Sequence, residues 1–271
     1  MTSRFGTIAV AAVLLTASSF ASAVLTHDTT VTPGVIFGNG NLNGGFTVDS
    51  SNGIELGLRA KVRHDATTGQ PMNVFNANGD GTFSFDAGAW TGAGGNASTA
   101  YWSVEYSINT NTTGSTGLAL NDLTYAFGFD SNPSQATSFL SIDVINGFPY
   151  MDHAMGTNAT VQCNSTNSNL GCGGNRNMST DAADYQNDID VFNVAQNSQK
   201  AHWLLGAGFD PTIDGTYDFY LAAFRGTTEV ARSQIQVIVG NGGAAAIPEP
   251  GSLALVGLAL AGLAASRRRR Q

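Results

Sequence analysis

A strict alternation of apolar and polar residues, repeated in segment after segment, restricts this chain more than any other feature. Ile54, Leu56, Leu58, Ala60 and Val62 are apolar, and Glu55, Gly57, Arg59, Lys61 and Arg63 stand between them. That period of two marks a strand covered on one face and solvated on the other. Ser51-Asn52-Gly53 precedes it, and Asn-Gly accepts the positive φ angles of a tight turn, so residues 46–49 pair with it as a hairpin. The alternation returns at Trp102, Val104, Tyr106 and Ile108, at Leu123, Tyr125, Phe127 and Phe129, and at Leu140, Ile142 and Val144. It returns again at Tyr217, Phe219, Leu221 and Ala223, and at Ile235, Val237 and Val239. Turn clusters such as Asn78-Gly79-Asp80-Gly81 and Asp214-Gly215 separate these segments. The reading is a mainly β chain, an antiparallel β-sandwich of jelly-roll-like form. One short helix is expected from Thr180 as cap, with Ala182, Tyr185, Ile189 and Phe192 at helical spacing.

Composition agrees. Charged residues make up 12% of the 271-residue chain and hydrophobic ones 42%, which excludes a disordered acidic chain and a coiled coil. Five of the twelve basic residues lie at the two ends, so residues 24–266 hold seven of them against twenty acids, a net charge of −13. Such a surface repels nucleic acid and anionic lipid, and no nucleic-acid partner is expected.

Both ends read as addresses. Arg4 precedes an apolar run from Ile8 to Leu15, and Ala21-Ser22-Ala23 follows as a small-x-small cleavage pattern. Residues 1–23 therefore form a signal peptide, handled by signal peptidase and the export machinery, with cleavage after Ala23. At the other end, Pro248-Glu249-Pro250 leads into an uncharged run from Leu253 to Ala265 and then Arg267, Arg268, Arg269 and Arg270. As a helix, residues 252–265 reach about 21 Å, short of a hydrocarbon core of about 30 Å. This hydrophobic sorting helix suits a transient stop better than a permanent anchor, with the arginines cytoplasmic and the Pro-Glu-Pro motif outside the inner membrane.

Motif, apolar run and basic tail in this order resemble the PEP-CTERM sorting signal of Gram-negative bacteria, with Ile247 where valine is commoner. The resemblance covers about 25 residues from Ile247 to Gln271. It implies an exosortase-type processing enzyme as partner, cleavage near the motif, and release toward the cell surface and an exopolysaccharide matrix. The stretches 57–63, 193–198 and 209–211 with 215–218 also resemble a domain recurrent among exported PEP-CTERM proteins, which implies no activity. The organisation read is a signal peptide at 1–23, a β-sandwich domain at 24–243, and linker plus sorting signal at 244–271.

Within the domain, Cys163 and Cys172 form an even pair in an exported chain and are expected as a disulfide worth about 2–3 kcal/mol; a metal site would need ligands beyond the lone His153. His27, His64, His153 and His202 are scattered singly, which reads as solvated side chains, and no nucleophile elbow or zinc helix appears. Neither a catalytic residue, a metal site nor a cofactor is assigned. Glu55, Glu105 and Glu229 are the domain's glutamates; Glu55 and Glu105 are placed on solvated strand faces, where replacement by Gln costs about 0.5 kcal/mol or less. Asn76, Asn78, Asp80 and Gly81 match the opening of a calcium loop, but Ala87 stands where the bidentate Glu belongs, and a hairpin turn explains the same residues. Asp184, Asp188 and Asp190 are read as solvated, with a cation-binding cluster as the alternative. Among the tryptophans, Trp90 in its glycine-rich surroundings is the expected loop aromatic, with Trp102 and Trp203 in the core.

Two functions remain. The favoured one is a non-enzymatic surface or matrix protein with a structural role or weak carbohydrate contact. The alternative is a secreted polysaccharide-active hydrolase or lyase, which needs two carboxylates about 5–10 Å apart in a cleft.

Overall fold

A computed structural model describes residues 24–37, 41–65, 67–68, 71–92, 95–147, 152–162, 174–177, 182–206 and 208–243. The alternating segments become strands, as the sequence requires. In chain order they are β1 (Thr26–Thr29), β2 (Phe46–Ser51), β3 (Ile54–His64), β4 (Pro71–Val74), β5 (Thr82–Phe85), β6 (Trp102–Asn109) and β7 (Thr124–Asp130). They continue as β8 (Phe139–Ile142), β9 (Asp152–Gly156), β10 (Gly174–Asn177), β11 (Val194–Lys200), β12 (Gly215–Arg225) and β13 (Thr228–Val239). Asn52 (φ 55°) and Gly53 (φ 75°) turn β2 into β3 in the left-handed conformations expected of Asn-Gly.

The strands form two sheets. The larger runs β1-β2-β3-β6-β11-β9-β10, with β4 also paired to β3, and the smaller runs β5-β13-β12-β7-β8. They face each other across one apolar layer. Leu56, Leu58, Trp102, Val104 and Tyr106 from the larger sheet meet Phe83, Phe127, Tyr217, Phe219 and Val237 from the smaller. Trp102 sits between Phe85 (5.8 Å, stacked), Phe209 (6.2 Å) and Tyr217 (6.1 Å). The expectation of a wholly antiparallel arrangement is corrected at one pair: β5 runs parallel to β13. The chain reaches β5 by crossing from the larger sheet through the 76–81 turn, so it enters the edge in the direction of β13.

The second face of the larger sheet is not solvated. Val31, Val35, Ile36 and Phe37 lie across it and form a second buried cluster with Phe46, Val48, Ala154 and Val194. Gly57 permits that approach, because a Cβ there would run into Val31 and Phe46. Side-chain amides tie the cover down: Gln196 Oε1 accepts the Ile36 N–H at 2.8 Å, and Asn109 Nδ2 donates to the Thr32 carbonyl at 2.6 Å.

The described residues hold two α-helices rather than one. In α1 (Ala182–Val191), Tyr185 and Ile189 are buried while Asp184, Asn187 and Asp190 are exposed, and Asp188 is half-buried. Thr180, its expected cap, lies outside the described residues. The second helix, α2 (Ala201–Leu205), is a single turn stopped by Gly206 at φ 78°. Ala201, Leu204 and Leu205 share its buried face.

Candidate functional site

Register brings the charged residues of the larger sheet together. Arg59 of β3 lies directly opposite Glu105 of β6, and Lys61 is two residues along. Arg59 Nη2 is 2.5 Å from Glu105 Oε2, and Lys61 Nζ is 3.1 Å from Oε1. The guanidinium lies between the rings of Phe46 (4.2 Å) and Phe75 (4.5 Å) and donates to the carbonyls of Leu42 (2.8 Å) and Gly44 (2.6 Å). Lys61 also donates to Asn41 and, at 2.9 Å, to Asn73. Burial alone would raise the Glu105 carboxyl, but Arg59 and Lys61 overcome it and hold the group below its ordinary value. The expectation that Glu55 and Glu105 lie on a solvated face is therefore overturned, and the small expected cost of replacing them falls with it. Residues 31–37 and 41–46 supply a cover that no local periodicity announces.

Glu55 is buried too. Its Oε1 accepts the Thr32 N–H at 2.6 Å, and burial raises its carboxyl above the ordinary range. Glu55 stands opposite Asn109, four residues along β6 from Glu105, which at about 3.4 Å per residue separates the two backbone positions by roughly 14 Å. The spacing for glycoside cleavage is about 5–10 Å. Glu229 is exposed and pairs bidentately with Arg232 at 2.9 and 2.7 Å.

His153, read as solvated, is fully buried. Tyr106 Oη shares a 2.6 Å hydrogen bond with its Nε2, Tyr185 Oη lies 3.4 Å from Nδ1, and burial lowers its pKa to about 3, keeping the ring neutral. Trp102 lies in the core as expected, but the expectations for Trp90 and Trp203 reverse. Trp90 is 7% exposed, with Lys200 Nζ 3.5 Å over its ring, whereas Trp203 is 62% exposed. On a single turn whose buried face is taken by Ala201, Leu204 and Leu205, residue 203 points the opposite way at about 100° per residue. The 76–81 segment is a turn: Asn78 N–H donates to the Thr82 carbonyl (2.9 Å), and Asp80 accepts from Thr82 N–H (2.9 Å) and Oγ1 (2.7 Å).

Ala21, Ala23, Cys163, Cys172, Pro248, Glu249, Pro250 and Arg267–Arg270 lie outside the described residues. Among the described residues no group of three or more His, Cys, Asp or Glu is placed to hold a metal ion. Nor is any helix there long and apolar enough to cross a membrane.

The outer face of the smaller sheet carries a groove of about 460 Å³. Cross-strand register lays its floor, with Asp218 opposite Gln236 and Tyr220 opposite Gln234. Gln236 Nε2 donates to Asp218 Oδ1 at 2.9 Å. His27, Asp80 and Thr82 form one wall and Phe139 the other. Phe139 is 44% exposed and held edge-on by Tyr220 at 5.2 Å. Tyr220 is itself fixed, lying over Gly128, where a Cβ would collide with the ring, and under Arg232 at 4.4 Å. A partly free aromatic face beside carboxylate and amide groups suits a ligand with apolar C–H faces and many hydroxyls. The outward residues of β12 and β13 were legible as polar alternation; their partnership with Phe139 required the β7–β8 pairing.

The molecule is thus a mainly β, two-sheet protein with a shallow polar-aromatic groove. Residues 246–270 match the family model of the PEP-CTERM protein-sorting motif. The chain thus carries a PEP-CTERM sorting motif, which implies export toward the cell surface through an exosortase-type enzyme. No curated protein and no solved structure matches it.

Proposed function

We propose that this is a non-enzymatic surface or matrix protein, a β-sandwich that touches extracellular polysaccharide weakly through the groove on its smaller sheet. The observation that carries this reading is the exposed Phe139 ring, braced by Tyr220 beside the Asp218–Gln236 floor. The wide separation of Glu55 and Glu105 and the Arg232 pairing of Glu229 support the absence of catalysis by these acids. The route we infer holds Arg267–Arg270 in the cytoplasm and the 253–265 run in the inner membrane, so that Pro248-Glu249-Pro250 is offered outside.

The test is a glycan array together with a polysaccharide degradation screen on protein recovered from outside the cell. Binding without turnover is expected, and Phe139→Ala should weaken it roughly 3- to 10-fold, since a ring contact is worth about 0.5–1.5 kcal/mol. Depolymerisation of any matrix polysaccharide would replace this reading with the hydrolase or lyase alternative.

A further inference from the structure

The two ends of the sheets differ. One holds the Asn52-Gly53 turn, and the other is where the described chain finishes at Gly243, fastened by Gly240 N–H to the Phe85 carbonyl (2.8 Å) and Gly243 N–H to Thr216 Oγ1 (2.8 Å). The β6 start, the β11 end and α2 share this tail-proximal end, because Trp102 packs on Phe85 and Tyr217 and Lys200 pairs with Ser103. Exposed apolar residues collect there. Trp203 projects from α2, Ile213 precedes β12, and Phe139 and Leu140 open β8 opposite Asp130 and Phe129. Nine residues separate Gly243 from Leu253, the first residue of the apolar run, so the body cannot stray more than about 35 Å from that run at roughly 3.5 Å per residue.

We infer that, while the tail is in the bilayer, the body rests on the outer face of the inner membrane by this end, with Trp203 in the headgroup region. The inference depends on the membrane-inserted tail proposed above. Tethering raises the effective concentration of the surface at the bilayer, so a modest apolar patch suffices. Indole is the side chain best suited to that zone, with an apolar body and one polar N–H. Asp86, Asp210 and Asp214 are exposed around this end, so it prefers a zwitterionic to an anionic surface.

The signal-cleaved chain, residues 24–271, is reconstituted with phosphatidylcholine vesicles, with or without bromine on the upper acyl carbons, and flotation reports tail insertion separately. Trp90 and Trp102 are buried, so quenching reads Trp203. Floating protein should lose roughly a third of its emission on brominated lipid, the share of one tryptophan in three, and Trp203→Phe should abolish the loss. A Val191→Trp probe at the opposite end, in the Trp203→Phe background, should stay unquenched. Floating protein whose Trp203 is not quenched, or whose probe at 191 is quenched equally, overturns the inference while leaving the tail reading intact. Protein that fails to float overturns both.

Discussion

Arg59 and Glu105 face each other across β3 and β6 with 2.5 Å between guanidinium nitrogen and carboxylate oxygen, and neither side chain reaches solvent. Two charges have been taken out of water, together with Lys61, and each remains supported only while the others are present.

Glu105→Gln should therefore destabilise the protein by about 3–5 kcal/mol, because it leaves Arg59 and Lys61 buried without a counter-charge. Denaturant unfolding of the wild type and variant measures this, with a lower midpoint at unchanged slope expected. Glu229→Gln, in an exposed pair, should cost about 1 kcal/mol or less. Equal costs for the two would show that the Arg59, Lys61 and Glu105 cluster does not behave as a buried ion group.

His153 predicts a pH dependence. Its folded pKa of about 3 lies below the value of about 6.5 expected when unfolded. Between these values the unfolded chain holds the extra proton, so stability falls as pH drops below about 6.5, by up to about 1.4 kcal/mol per pH unit. Glu55 acts in the opposite sense, since its raised folded pKa makes it lose stability as pH rises above its unfolded value. Unfolding measured from pH 7 to 4.5 in wild type and His153→Gln separates the two. The variant should lose the falling limb on acidification and retain the Glu55 trend.

Processing can be read from mass. Protein recovered outside the cell should begin after Ala23, end near Pro250 and lack Arg267–Arg270. Unreduced peptide maps should join Cys163 to Cys172. A main species ending at Gln271 refutes the processing expectation, and free thiols refute the disulfide.

Much was legible because it depends on neighbours in sequence. Asn52-Gly53 made a tight hairpin, and the apolar positions of β3, β6, β7, β12 and β13 chose the faces that meet across the core. The tail motif was legible for a different reason, since a processing enzyme must read it as contiguous sequence. Strand β11 escaped, because Gln196 and Asn197 look like loop residues until the Gln196 amide is seen accepting from the Ile36 N–H of the cover and donating to Ser107.

What the tertiary structure decided was which polar residues keep their water. Glu55, Arg59 and Lys61 alternate with apolar residues as any solvated strand face does, and it is residues 31–37 and 41–46, folding across from outside the strand, that bury them. Trp90 and Trp203 exchange their expected places for a related reason. A loop can fold its ring under Lys200, while a single helical turn has only one face to bury, and Leu204 and Leu205 occupy it. Periodicity determines that a residue has two environments to choose between; only the packing of distant segments determines which of them is water.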